Sequence, residues 1–202
     1  MLESLFQLAG PVQALCATLM TWALTSLGAC VVFLLRKPNR NVMDAMLGMA
    51  GGVMVAASFW SLLSPSIDMA EALGMRPWST ALIGFMGGGF LLFWGDRAFT
   101  HFSQKREAAG KNGRSAGFKR CAMLVFSITL HNIPEGLAIG VAFGSLAYGL
   151  EGSTAVGAWM LAVGIGLQNL PEGMAVSLPL RREGLSPKKA FFCGQLSGIV
   201  EP

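Results

Sequence analysis

The feature that most limits how this chain can fold is its series of long apolar segments. A helix that crosses the roughly 30 Å hydrocarbon core of a bilayer needs about 20 predominantly apolar residues. Six segments meet this requirement at least in part, and they run over 11–35, 42–65, 79–98, 121–148, 154–180 and from 188 to the end. The sequence therefore predicts an all-α integral membrane protein whose helices form a multi-helix transmembrane bundle.

Composition favours a membrane protein and argues against several other classes. Only 13% of the residues are charged and 53% are hydrophobic, with a mean hydropathy of +0.55, whereas soluble domains carry about 25% charged residues. The four cysteines lie far apart and form no CxxC pair, which argues against a structural zinc site or a disulfide framework. The N-terminus has no basic region before its apolar part, so a cleaved signal peptide is not expected.

The basic residues predict how the chain is oriented. Of the 15 Lys and Arg residues, all except Arg76 lie between segments one and two, three and four, or five and six. Because positively charged loops remain in the cytoplasm, we expect a multi-pass protein of the cell (inner) membrane with its N-terminus outside. The net charge of +4 is divided among three loops, so it indicates topology, and nucleic acid is not an expected partner.

The same pattern predicts the domain organisation. We expect a single transmembrane domain over 1–202, with a polar, cytoplasmic loop at 99–120. The sixth segment is still apolar when it reaches Pro202, yet it has too few residues to cross a bilayer. The domain is therefore expected to be cut within its sixth helix.

Two of the apolar segments carry nearly the same polar hexapeptide. HNIPEG occupies 131–136 and QNLPEG occupies 168–173, with Asn, Pro, Glu and Gly at the same offsets. Since consecutive segments cross in opposite directions, this same-sense repeat predicts an approximate two-fold axis in the membrane plane, as in inverted-repeat transporters. Each hexapeptide falls near the bilayer midplane. Its proline, Pro134 or Pro171, is expected to bend the helix and to free a carbonyl.

The spacing within the hexapeptides brings ligand-type side chains together. His131 and Glu135 are four residues apart and share one helix face, and the second copy repeats this relation. Two such helices facing each other would bring four side chains to one point: His131, Glu135, Gln168 and Glu172. Asn132 and Asn169, with the same two glutamates, would serve a second point beside it.

Such a donor set indicates a metal site. Imidazole, carboxylate and amide groups suit a divalent transition metal, and zinc accepts both nitrogen and oxygen ligands. A charged residue at the bilayer centre costs at least about 2.5–3.5 kcal/mol. A duplicated motif that places glutamates there is therefore interpreted as a functional site in preference to polar contacts that merely join helices.

The pair HNIPEG and QNLPEG resembles the ZIP (Zrt/Irt-like) family of divalent metal transporters in its bacterial form. The resemblance extends over most of the chain, and the paired hexapeptides are its most specific part. It implies about eight transmembrane helices in a complete chain, both ends outside, and transport of metal toward the cytoplasm. Six of those helices would be present here, the sixth only in part.

The resemblance also implies a two-metal centre with further ligands. The first, transport-essential site would comprise His131, Glu135, Gln168 and Glu172, with the thioether of Met54 from the second helix. The second site would comprise Asn132, Glu135, Asn169, Glu172 and Glu201. Asp68, near the outer end of segment two, resembles an acidic residue that draws metal to the entrance.

The chain departs from the family pattern at two of these positions. Many family members have histidine where this chain has Gln168, and some bacterial members have aspartate where it has Asn169. An amide in place of a charged ligand implies a weaker second site.

The predicted function is transport of divalent metal ions, without enzymatic activity. The transported ion would be Zn²⁺ by preference, with Cd²⁺, Fe²⁺ or Mn²⁺ as further substrates, and the other partner would be the lipid bilayer, with a homodimer left open. The alternatives are an intramembrane metalloenzyme and a metal-gated channel. The HExxH pattern of zinc proteases is absent, and a protease does not need the symmetry that the repeat predicts. Saturable flux would distinguish a carrier from a channel.

Overall fold

The computed structural model describes residues 8–34, 40–108, 116–149 and 153–202, and their regular structure is helical. The helices are α1 (Gly10–Leu34), α2 (Arg40–Ala56), α3 (Ser64–Ala72), α4 (Pro77–Ala108), α5 (Ala116–Ala147), α6 (Ala155–Arg182) and α7 (Pro187–Ser197). A π-helical segment, Ala57–Leu63, joins α2 to α3 without a break. The prediction of an all-α bundle is confirmed.

Four helical stretches in the described part of the chain are long and apolar enough to cross a membrane. They are Gly10–Leu34, Leu47–Ala72, Pro77–His101 and Val125–Ala147, and they correspond to the first four predicted segments. The fifth predicted segment forms α6, which has 28 residues but carries the polar QNLPEG copy within it. The sixth forms α7, whose 11 residues are too few to cross a bilayer.

Helix extends well beyond the apolar segments on the side of the predicted loop 99–120. The fourth helix continues to Ala108 and the fifth begins at Ala116, while 109–115 lie outside the described residues. Hydropathy located only the lipid-compatible part of each helix. Alanine, lysine and arginine, which are frequent here, favour helix whether or not lipid surrounds them.

Local signals fix where α6 and α7 begin. The side chain of Thr154 accepts a hydrogen bond from the Gly157 amide at 3.0 Å, and Ser186 in the same way caps the start of α7; hydroxyl residues are favoured at this position. Between the two helices Gly184 has a φ of 93°, which glycine adopts without strain. The chain therefore reverses tightly, and α7 returns against α6.

The sixth helix lies at the centre of the bundle. It packs most extensively against α1 and also contacts α2, α5, α7 and the π-helical segment. A side chain at Gly28 of α1 would collide with the carbonyl of Leu170 on α6. This glycine therefore lets the two backbones approach closely, as small residues do in membrane bundles.

Two apolar clusters lie on either side of the hexapeptides. The first contains Ala17, Ile139, Phe143, Ala158, Leu161, Ala162 and Ile165. The second contains Val32, Met174, Val176, Leu178, Leu180 and Ala190. Along α6 the QNLPEG copy falls between the residues of the first cluster and those of the second. The polar side chains thus form a layer inside the bundle, between two layers of apolar packing.

Both hexapeptide prolines lie inside helices that continue on either side of them. A proline lacks the N–H that would bond to the carbonyl four residues earlier. Pro134 therefore leaves the Leu130 carbonyl, and Pro171 the Leu167 carbonyl, without that helical partner. The chain keeps its helical path through each hexapeptide while losing one backbone hydrogen bond there.

Candidate metal centre

The two hexapeptides meet through a hydrogen bond between their side chains. Gln168 Nε2 on α6 donates to Glu135 Oε1 on α5. Both residues line a cavity of about 190 Å³ that His131 and Met54 also border, and we call it the Gln168 cavity. The structure thus brings together four of the five residues expected at the first ion.

The fifth residue borders a neighbouring space. Glu172 lines a cavity of about 320 Å³ together with Ser127, and His131 and Met54 border this cavity as well; we call it the Glu172 cavity. The imidazole and the thioether therefore stand where the two cavities adjoin. An ion bound by His131 would be reachable from either cavity.

A second group of polar side chains lies around Glu201. Asn169 Nδ2 donates to both carboxylate oxygens of Glu201, at 2.9 and 2.8 Å, and also to the Thr21 carbonyl at 3.4 Å. Asn132 Nδ2 donates to the Ser197 carbonyl at 3.0 Å. Both asparagines and Glu201 are buried. Three of the five residues expected at the second ion thus lie buried in this group, on α5, α6 and the segment after α7.

Several buried oxygens in this layer have no hydrogen-bond partner among the described residues. They are Asn132 Oδ1, Glu135 Oε2, Gln168 Oε1, Asn169 Oδ1 and Glu172 Oε2. An unsatisfied buried polar atom costs about 1–3 kcal/mol. All five are carbonyl or carboxylate oxygens, which can act as ligands to divalent cations. A bound metal ion would give each of these oxygens a partner.

The charges of the layer favour the same ligand. The carboxylates of Glu135, Glu172 and Glu201 are close enough to interact electrostatically. Like charges in a poorly solvated interior repel one another strongly. A divalent cation held between them would replace this repulsion by attraction.

The present arrangement is not a finished coordination shell. Within the described ranges, no group of three His, Cys, Asp or Glu side chains is placed to hold a metal ion. The amides of Gln168 and Asn169 instead turn their nitrogens toward Glu135 and Glu201. For these amides to coordinate, their oxygens must face the ion, so binding requires the side chains to reorient.

The predicted entrance residue is not part of this cluster. Asp68 is exposed on α3. Its neighbours Ser66 and Met69 line a third cavity of about 360 Å³, which we call the Ser145 cavity after one of its hydroxyl residues. This cavity shares Leu62, Ala138 and Leu161 with the Gln168 cavity, so the two spaces adjoin.

Sequence analysis missed the contribution of α1. Thr25 Oγ1 lies 3.5 Å from Glu201 Oε1 and donates a hydrogen bond to it, and the Thr21 carbonyl accepts from Asn169. A signal was present, because Thr18, Thr21 and Thr25 recur at helical spacing in an apolar segment and are buried on one face. Polar residues repeated on one face of a membrane helix indicate contact with other polar groups.

Comparison with known proteins agrees with this picture. A family profile described as ZIP Zinc transporter matches residues 115–202, which contain both hexapeptides. The chain is similar to Zinc transporter ZIP11 of Xenopus tropicalis, with 36% identity over an alignment that is 262 positions long, gaps included, and covers 94% of this chain and 77% of the relative. The human protein of the same name is 33% identical, with 94% and 78% covered. Zinc transporter ZIPB of Bordetella bronchiseptica is 39% identical over 141 residues, with 67% and 45% covered.

Proposed function

This chain belongs to the ZIP family of zinc transporters, and we propose that it moves zinc through the centre formed by its two hexapeptides. It is a multi-pass membrane protein that transports divalent metal ions, and it is a transporter and not an enzyme. The observation that carries the proposed route is a layer of five buried oxygens that have no hydrogen-bond partner in the described part of the chain. This layer lies beside two cavities that meet at His131 and Met54.

The first ion would be held by the residues around the two adjoining cavities. These are Met54, His131, Glu135, Gln168 and Glu172. Imidazole nitrogen, carboxylate oxygen and thioether sulfur together suit a borderline ion such as zinc. The neutral amide of Gln168 is a weaker ligand than a second imidazole, which favours release of the ion to the far side.

A second ion would lie beside the first. Its ligands would be Asn132, Asn169 and Glu201, with the two hexapeptide glutamates bridging to the first ion. In both asparagines the amide nitrogen is engaged with the protein while the oxygen has no partner among the described residues. Asn132 can thus bind an ion and keep its hydrogen bond to the Ser197 carbonyl, whereas Asn169, whose nitrogen faces Glu201, must reorient to do so.

The direction of transport follows from the basic loops. With the N-terminus outside the cell membrane and the basic loops in the cytoplasm, the Ser145 cavity faces outward and the Glu172 cavity faces inward. Zinc would be attracted near Asp68, pass Leu161 into the Gln168 cavity, exchange ligands at His131, and leave through the Glu172 cavity.

The proposal also covers the domain organisation and the lipid around the protein. The whole of 1–202 would act as one transmembrane domain. Lipid would cover the exposed apolar side chains of α4, such as Phe85, Leu91 and Trp94, since that helix presents a hydrophobic surface to its surroundings. The homodimer and the further substrates Cd²⁺, Fe²⁺ and Mn²⁺ stay predictions.

The test is zinc uptake into liposomes that contain the purified protein and a trapped zinc indicator. Glu135→Gln and Glu172→Gln conserve shape and remove charge, so we expect each to reduce uptake at least about tenfold, the loss of 1.4 kcal/mol or more of ion binding. Glu183→Gln is the matched control, because Glu183 is exposed at the end of α6, and it should leave uptake unchanged.

The same assay separates the alternatives. Saturation of the initial rate with zinc concentration indicates a carrier, and a rate that rises linearly indicates a channel. Undiminished, saturable uptake in both Glu→Gln variants would show that the hexapeptides only pack the bundle and that the ion takes another route.

A further inference from the structure

Glu201 lies in the segment after α7, where its amide donates to the Gly198 carbonyl at 3.1 Å. The residue is only 4% exposed. Side chains from other helices contact its carboxylate.

Two helices supply those contacts, and they differ in kind. Asn169 on α6 donates to both oxygens of Glu201, but Asn169 is itself a ligand in the proposed centre. Thr25 on α1 is fully buried and donates to Glu201 Oε1 at 3.5 Å. Since Thr25 belongs to neither proposed ligand set, it can hold the carboxylate whatever the asparagine does on binding an ion.

The Thr25 hydroxyl has a choice of two acceptors. It lies 3.3 Å from the Thr21 carbonyl, one turn earlier in α1, and 3.5 Å from Glu201 Oε1. A hydroxyl has a single proton to donate. Hydrogen bonds to a charged acceptor are about twice as strong as those between neutral groups. A Glu201 carboxylate that serves as a charged ligand is therefore the stronger of the two acceptors.

The hexapeptide repeat explains why these two residues meet. In the first copy, Asn132 bonds to the Ser197 carbonyl, and a side chain at Gly136 would collide with the Glu201 backbone. The second copy makes the corresponding pair of contacts with Thr21 and Thr25. In each case the asparagine contacts one residue and the glycine contacts the residue four positions later.

Thr25 thus occupies, on α1, the place that Glu201 occupies after α7. Residues related by a two-fold axis contact each other only when both lie close to that axis. Near this axis the chain has the Glu201 carboxylate on one side and the Thr25 hydroxyl on the other. The hydroxyl can donate to the carboxylate, whereas a second carboxylate there would repel it.

We propose that Thr25 is a positioning residue, whose hydroxyl holds the Glu201 carboxylate in place for the second zinc ion. This inference rests on the proposed function, because it assumes that Glu201 is a ligand. It predicts that removing the hydroxyl weakens the second ion and leaves the first unchanged, because Thr25 borders neither the Gln168 cavity nor the Glu172 cavity.

The experiment is zinc titration of the purified protein in detergent by calorimetry, with bound zinc counted after desalting. Thr25→Val keeps the shape and removes the donor, and we expect the second ion to bind about tenfold more weakly, as for loss of one hydrogen bond to a charged group. Thr25→Ser should restore it. Thr18→Val is the matched control, since the described hydrogen bonds of the Thr18 hydroxyl go to the Ala14 and Leu15 carbonyls of α1.

The outcomes separate the inference from the proposed function. If Glu201→Gln loses the second ion while Thr25→Val keeps it at unchanged affinity, Thr25 does not position Glu201 and the metal centre stands. If the unaltered protein binds no zinc, or if Glu201→Gln and Glu135→Gln bind like it, both proposals are wrong. Should Thr25→Val not fold, Thr25→Ala removes the same donor without added bulk. Its affinity for the second ion is then compared with that of Glu201→Gln in the same way.

Discussion

The two copies of the hexapeptide share a sequence but not their surroundings. In α6, Gln168 is 2% exposed, Asn169 is fully buried and Glu172 is 6% exposed. In α5, His131 and Glu135 are only partly buried, and Ile133 is 40% exposed. Helix α6 packs against α1, α2, α5 and α7, and five of the six residues in its copy are buried, whereas the α5 copy has an exposed side at Ile133.

This difference assigns the copies separate tasks. The enclosed copy fixes the position of the centre, since its asparagine and glycine contact α1. The open copy presents the imidazole of His131 to both cavities. A repeat in sequence thus supplies equivalent ligand types, while the packing of each helix decides which ligands a passing ion can reach.

The largest difference between the copies is expected in the free energy of unfolding, when the residue that follows each hexapeptide is truncated. Met174 of α6 is 7% exposed in an apolar cluster, whereas the equivalent Leu137 of α5 is 64% exposed. Met174→Ala should lower the free energy of unfolding by about 2 kcal/mol through the cavity it leaves, and Leu137→Ala by less than about 0.5 kcal/mol. Thermal unfolding in detergent measures both. Equal losses would mean that the copies are packed alike.

The next largest difference is expected in the zinc affinity that is lost when one ligand of each copy is removed. His131→Ala removes an imidazole that borders both cavities, and we expect the first zinc ion to bind about 100-fold more weakly, or about 2.7 kcal/mol. Gln168→Ala removes a neutral amide, and the expected loss is about tenfold. Calorimetric zinc titration gives both affinities. A larger loss for Gln168→Ala would reverse the roles assigned to the two copies.

The smallest expected difference concerns the motif glycines. A methyl group at Gly173 would strike the Thr25 carbonyl of α1, and one at Gly136 would strike the Glu201 backbone. Overpacking costs about 1–3 kcal/mol; we expect about 2 kcal/mol for Gly173→Ala, whose partner lies inside α1, and about 1 kcal/mol for Gly136→Ala, whose partner lies outside the helices.

Two other glycines provide controls for this pair in the same melting experiment. A methyl group at Gly164 of α6 or Gly140 of α5 would meet nothing within 4 Å. Alanine at either position should therefore be neutral or slightly stabilising, because alanine favours helix over glycine. If Gly173→Ala were as harmless as Gly164→Ala, the contact between α1 and α6 would not depend on Gly173.

Sequence alone predicted the parts of this molecule that depend on local pattern. Apolar length located the helices, and the i,i+4 spacing of His131 and Glu135 placed both on one face toward Gln168. Helix ends such as Ala108 were missed, because helix continues where apolar residues stop. Hydropathy likewise detected the α6 segment but could not show that it is the enclosed helix, since burial is a property of the assembled bundle.

The residue partners that were missed are distant in sequence. Thr25 and Glu201 meet across 176 positions of the chain, and Trp22 Nε1 donates to the Gln195 carbonyl at 2.9 Å across a similar separation. Both contacts follow from how α1 packs against α6 and α7. A stripe of threonines shows that α1 has a polar partner, but only the packed helices identify which one.

The π-helical segment Ala57–Leu63 has a mechanical consequence. At its end, the Ser64 amide bonds to the Phe59 carbonyl five residues earlier, so each turn there is wider than an α-helical turn. Conversion to an α-helix would slide the chain by one residue, which corresponds to a rotation of about 100° and a rise of about 1.5 Å. Such a conversion would rotate the half that carries Asp68 relative to the half that carries Met54 while the helix stays continuous.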